Sequence, residues 1–144
     1  SLEHMGGTPD GFIAIMRELW RVCAHGALIH INVPHPRHDN FIGDPTHVRV
    51  ITPQVMSLFS KKNCLHWAQI RASNTPLALY ANVDFEMVDT HMILDEPWAS
   101  QLEQGMWTSA EIERAVHERN NVCNEIRMVL RALKPGTPGD PSPA

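Results

Sequence analysis

The stretch TPDGFIAIMRELWRVCAHGALIHINVP, Thr8 to Pro34, decides the fold. Thr8 is placed to cap a helix and Pro9 to occupy its first turn, where a missing amide proton costs nothing. Phe12, Ile13, Ile15, Met16, Leu19, Trp20 and Cys23 then recur at the 3.6-residue period, which predicts an amphipathic helix over 9–23 with Gly26 as its C-terminal cap. Ala27 to Val33 is short, rich in β-branched residues and stopped by Pro34, which predicts a mostly buried strand. A helix feeding a buried strand is half of a βαβ unit and puts the chain in the α/β class.

Outward from this unit the signals vary in strength. Residues 34–53 have no clean period and are broken by Pro34, Pro36, Gly43, Asp44 and Pro45, the pattern of a long loop. Thr52-Pro53 restarts a helix to about Lys62, a weaker segment covers Leu65 to Ile70, and Leu77 to Leu94 reads as a second strand region because Val83, Phe85 and Met87 alternate with polar neighbours. Thr108-Ser109-Ala110-Glu111 is a capping box, and the apolar spacing from Ile112 to Leu133 predicts one helix of about 25 residues. Residues 1–133 then form the folded part, and the Pro- and Gly-rich stretch 134–144 is expected to be a flexible tail.

The 144 residues are 43% hydrophobic and 19% charged, as in a globular domain. The formal net charge of −4 disfavours a nucleic-acid partner and a polybasic membrane attachment, and no apolar run approaches the roughly 18 residues of a membrane span. Cys23, Cys64 and Cys123 are odd in number and widely spaced, which points to reduced thiols and a cytoplasmic location. The opening Ser1-Leu2-Glu3-His4-Met5 carries no initiator methionine, so the chain is expected to be a fragment.

Leu2-Glu3-His4, the helix ending Arg17-Glu18-Leu19-Trp20-Arg21-Val22, the turn Cys23-Ala24-His25-Gly26-Ala27 and the strand Leu28 to Val33 together resemble the class I S-adenosylmethionine-dependent methyltransferases. In that family a Leu-Glu-His segment follows the fourth strand of a Rossmann-like sheet, and a helix ending in a similar pattern leads into the fifth. The match covers about residues 1–53. The resemblance implies that the chain is the C-terminal part of such an enzyme, spanning the region of strands five to seven, with the long C-terminal helix as an addition. The Gly-rich turn after strand one and the acidic residue after strand two, which hold the cofactor in the family, are absent from this chain. S-adenosylmethionine binding is therefore expected upstream of Ser1, and Gly6-Gly7 does not replace it.

In open α/β sheets ligands bind beyond the carboxyl ends of the strands. The loop after the strand is therefore the expected acceptor side, and it holds His35, Arg37, His38, Asp39, Asp44, His47 and Arg49. Methyl transfer to a hydroxyl or amine needs a positioned acceptor and removal of a proton. An imidazole suits that role, so His38 or His47 is the candidate base, with Asp39 or Asp44 to orient it. His35, Arg37 and Arg49 are candidate acceptor contacts, the arginines for an anionic group.

A sharper expectation follows from the resemblance. Some O-methyltransferases of the class carry a Glu-His pair at the position of Glu3-His4 and bind a divalent ion, some adding a histidine from the loop after strand five, which implies Glu3, His4 and His47 as ligands here. The leading expectation is a small-molecule or glycan-type acceptor; the alternative is a non-catalytic, degenerate methyltransferase module that pairs with another chain.

Overall fold

In a computed structural model, which describes residues 1–136, Thr8 does cap the first helix: its hydroxyl accepts from the Gly11 amide at 3.1 Å. After a 3₁₀ turn at Leu2–His4 comes α1 (Pro9–Val22), which buries Phe12, Ile13 and Met16, and then β1 (Leu28–Pro34). The helix stops one residue before the expected end, and Gly26, with φ +81°, makes the turn into β1 instead of capping α1. The loop after β1 is not featureless: it contains the short helix α2 (Asp39–Ile42). Thr52 caps α3 (Pro53–Ser57), but Ser60 starts a separate helix, α4 (Lys61–Gln69), because its hydroxyl accepts from the Asn63 amide. The second strand region splits into α5 (Leu77–Ala81) and β2 (Phe85–Leu94), with Asn82 in the left-handed conformation between them. Next come α6 (Trp98–Glu103), α7 (Ser109–Glu118) and β3 (Cys123–Ala132).

The expected 25-residue C-terminal helix is corrected by the structure. The capping box forms, with Thr108 Oγ1 accepting from Glu111 N and Glu111 Oε2 from Thr108 N, but α7 ends at Glu118. Asn121 then takes φ +62° and reverses the chain into β3. The misreading has a definite cause. Val122, Cys123, Ile126, Val129, Leu130 and Leu133 fit helical spacing, yet Ile126, Met128, Leu130 and Ala132 sit at strict two-residue intervals between Arg127, Val129 and Arg131. That alternation wins because each of those four residues is at most 1% exposed on a sheet face, whereas a helix would have scattered them.

The domain is thus a small α/β fold with one antiparallel sheet in the order β1-β3-β2. β3 runs between the other two, pairing Leu28↔Arg131 to Pro34↔Glu125 on one side and Phe85↔Ala132 to Leu94↔Cys123 on the other, with a bulge at Val88. The core joins this sheet face to α1, α3 and α7, where Phe12 and Phe59 meet edge to face at 5.9 Å. Trp20 is part of the packing, as its helical position predicts, and its indole N–H donates to the Asp84 and Leu133 carbonyls at 3.1 and 3.0 Å. Lys134, expected in the tail, instead lies over the Trp20 ring and bonds the Trp20 carbonyl. The rest of the expected tail, from residue 137, lies outside the described residues. All three cysteines are unpaired, and no helix among the described residues is long and apolar enough to cross a membrane.

The strand assignment of β3 has a direct test. Leu130→Ala should destabilise the domain by about 2–5 kcal/mol. Arg127→Ala, on the open face, should change stability by less than about 1 kcal/mol. Chemical denaturation measures both, and equal effects would contradict the register.

Candidate metal centre

The loop after β1 folds back onto the 3₁₀ turn at the start of the chain, fixed where the Val48 amide donates to the Glu3 carbonyl at 3.0 Å. This brings Glu3, His4 and His47 together, with one ligand atom from each lying within 4.8 Å of the other two. The Glu3 and His47 side chains are each 7% exposed and His4 is 38% exposed, so the group is a buried pair with an open third member. The His4 and His47 ring centroids are 4.5 Å apart, and His47 stacks on Phe41 at 5.2 Å.

The hydrogen bonds fix which nitrogen of each ring points inward. His47 Nδ1 faces the Phe41 carbonyl at 2.9 Å, an acceptor, so it carries the proton. His4 Nδ1 faces the Thr46 carbonyl at 3.2 Å and the Thr46 hydroxyl oxygen at 3.0 Å. That hydroxyl donates to Asp44 Oδ1 at 2.6 Å, so His4 Nδ1 is a donor as well. Both Nε2 atoms face one carboxylate: Glu3 Oε1 is 3.5 Å from His4 Nε2 and 3.9 Å from His47 Nε2. Asp44 Oδ2 approaches His47 Nε2 at 3.7 Å from the solvent side. An Nε2 that faces a carboxylate either donates a proton to it or shares a cation with it, and an Nδ1–H anchored on a carbonyl is the usual outer support of a ligating imidazole.

Charge follows the same pattern. The Thr46 hydroxyl and then its amide hold the Asp44 carboxyl below its ordinary range. At the tetrahedral angle, a cation about 2.1 Å from each ligand atom sets those atoms about 3.4 Å apart. Glu3 Oε1 to His4 Nε2, at 3.5 Å, is close to that spacing, Glu3 Oε1 to His47 Nε2 is wider at 3.9 Å, and all three atoms lie within 4.8 Å of one another.

The other predicted site residues do not join this group. His38 is not placed to act as a base. Its Nδ1 accepts from the Asn40 amide at 3.0 Å as the cap of α2, and its Nε2 is 2.7 Å from Asp95 Oδ2, so both nitrogens are engaged. Its carboxylate partner is Asp95, not Asp39, and that bond holds the Asp95 carboxyl below its ordinary range. Asp39 is exposed on α2, with its amide bound to Asn121 Oδ1. Arg37 is exposed, and His35 is buried with Nδ1 accepting from the Arg37 amide. Arg49 does lie beside the centre: one of its terminal nitrogens donates to the Gly6 and Thr8 carbonyls. Gly6 is required there, since its φ is +63° and a side chain would meet the Phe12 amide nitrogen at 2.6 Å.

Thr46, Phe41 and Asp95 are roles the sequence did not disclose. Asp44-Pro45-Thr46 reads as turn chemistry, and nothing local connects Asp95 with a histidine 57 positions away. Cys123 is no nucleophile at neutral pH, because burial pushes its thiol up to about 11 despite backbone hydrogen bonds that lower it.

His35 makes the domain acid-sensitive. Burial, then the neighbouring Arg37, His117 and His38, lower its pKa in the folded state. As pH falls through the ordinary imidazole range the unfolded chain takes up a proton first, so stability is whole above that range and declines below it. His35→Asn keeps an acceptor for the Arg37 amide and removes the titration. The fall in melting temperature between about pH 7 and about pH 5 should be smaller in the variant, and identical profiles would contradict the assignment.

No family model, no curated protein and no solved structure matches this chain.

Proposed function

We propose that the chain is the acceptor side of a class I S-adenosylmethionine-dependent methyltransferase, with a divalent cation held by Glu3, His4 and His47 at the place where the acceptor docks. The observation that carries this reading is the convergence of two imidazole Nε2 atoms on the buried Glu3 carboxylate. The residue order supports it: the Glu-His pair precedes the helix and strand of the resemblance, and the third ligand comes from the loop beyond that strand.

Mixed nitrogen and oxygen ligation suits a borderline divalent ion, which when bound would lower the proton affinity of an acceptor hydroxyl. The chain's own residues do the rest. Glu3 and His47 exclude water from one side, and the Phe41 and Thr46 carbonyls hold both rings in the ligating orientation. His4 leaves the centre open on one side, where a small-molecule or glycan-type acceptor would enter. Asp44, ionised at the rim, adds negative charge that favours the cation. No cofactor cradle is assigned to the chain, and S-adenosylmethionine would be held by an upstream portion of the sheet lying along the outer edge of β1, which has no strand partner among the described residues.

The alternative, a non-catalytic module that pairs with another chain, draws on the same open edge, where Leu28 is 52% exposed.

Calorimetry with Mn²⁺ tests the centre. Binding should weaken by about tenfold or more in Glu3→Gln and in His47→Gln. Unchanged affinity in both variants would remove the metal reading. S-adenosylhomocysteine should show no binding to these residues alone, and micromolar affinity would overturn the placement of the cofactor half. In a longer protein that contains the upstream portion, loss of methyl transfer on chelation separates the enzyme from the pairing module.

A further inference from the structure

Beside the metal centre, the first turns of α1 and the helices α3 and α5 enclose a cleft of about 250 Å³. Its walls are Pro9, Phe12, Ile13, Val55 and Leu77, and its one charged group is Arg49. Val48 and Val50, on either side of Arg49 in sequence, leave apolar surface exposed at 50% and 41%.

Arg49 has no carboxylate within ion-pair distance among the described residues. Its guanidinium carbon lies 4.4 Å from the centre of the Phe12 ring, one terminal nitrogen serves two neutral carbonyls, and its Nε is buried without an acceptor. A guanidinium keeps its charge in any protein environment. A half-buried cation against apolar walls and without a counter-ion favours an anion that enters beside it. The second cleft differs: it sets Arg114 and Arg119 among Glu111 and Glu118, so its charges offset one another.

We propose that this cleft binds a small organic carboxylate, the carboxyl group meeting Arg49 and an apolar body lying against Phe12, Ile13, Val55 and Leu77. One cation in a mostly apolar cleft matches a monoanion with a hydrophobic body. A phosphate dianion would bring uncompensated charge and tightly held water against the same walls. At about 30 Å³ per water, the space equals roughly eight waters, or a compact acid of about ten non-hydrogen atoms.

The cleft adjoins the metal centre through the backbone: Arg49 binds the Gly6 carbonyl two residues after His4, and His47 lies two residues before Arg49. The carboxylate would therefore be the anchoring group of the methyl acceptor, a hydroxy acid with its hydroxyl turned toward Glu3, His4 and His47. That identification rests on the proposed acceptor-side function, whereas the preference for a carboxylate does not.

Nuclear magnetic resonance titration of the whole chain with benzoate and with its neutral isostere benzamide decides the matter. Benzoate should shift the Arg49 Nε–H, Phe12 and Leu77 signals and bind roughly tenfold or more tightly than benzamide. Arg49→Gln should reduce benzoate to the level of benzamide, and Arg49→Lys should recover part of the difference. Equal binding of the two probes by the unaltered chain, no shift at these residues, or displacement of benzoate by equimolar inorganic phosphate would each overturn the proposal. With Mn²⁺ bound, broadening of the benzoate lines supports the acceptor role, and their staying sharp removes it. Failure to bind Mn²⁺ would sink the metal centre, while the ratio of benzoate to benzamide would still decide the cleft.

Discussion

The architecture depends on the insertion of β3 between β1 and β2. It is the strand with a partner on each side, and its Ile126, Met128, Leu130 and Ala132 form the sheet floor on which the helices pack. Its pairing joins segments from both ends of the chain, so β1 and β2 have no direct ladder with each other. The interaction is long-range in sequence and apolar in origin. Burying four side chains on one face outweighs the weak helical spacing that the same segment also offers.

That sheet fixes where the chemistry-bearing residues lie. β1 ends at Pro34, and the His35 amide extends its pairing by bonding the Asn124 carbonyl. From there the loop is constrained twice. The tether from His38 to Asp95 ties its first half to the end of β2, and the Val48 to Glu3 bond ties its second half to the start of the chain. Between these two attachments Phe41 and Thr46 orient the imidazoles of His47 and His4. A loop histidine thus divides from its neighbour by role: His38 is spent on structure, whereas His47 faces Glu3 with its Nε2.

The centre and the cleft also differ in electrostatic character within a short length of chain. The carboxylates of Glu3 and Asp44 would suit a cation at the proposed centre, and Arg49 would suit an anion in the proposed cleft. A hydroxy acid would satisfy both, since its hydroxyl and its carboxylate seek opposite partners. Under the proposed function an acceptor would have two points of attachment, and two points fix the orientation of a small molecule where one does not.

Much of the fold was legible in local patterns. The Thr8 and Thr108 caps, the buried face of α1 and the existence of β1 could be read in order along the chain, because capping and periodicity are short-range physics, although β1 buries only alternate residues; Glu3, His4 and His47 as a group came from the family resemblance. The sequence by itself determined those elements and the residue types available for ligation. Tertiary structure alone decided that 123–132 is a strand, that His38 serves Asp95, and that Thr46 reaches back 42 positions to set the tautomer of His4. The reason is physical: a residue's period is written in its neighbours, but the partner of a side chain depends on which distant surfaces must be buried together.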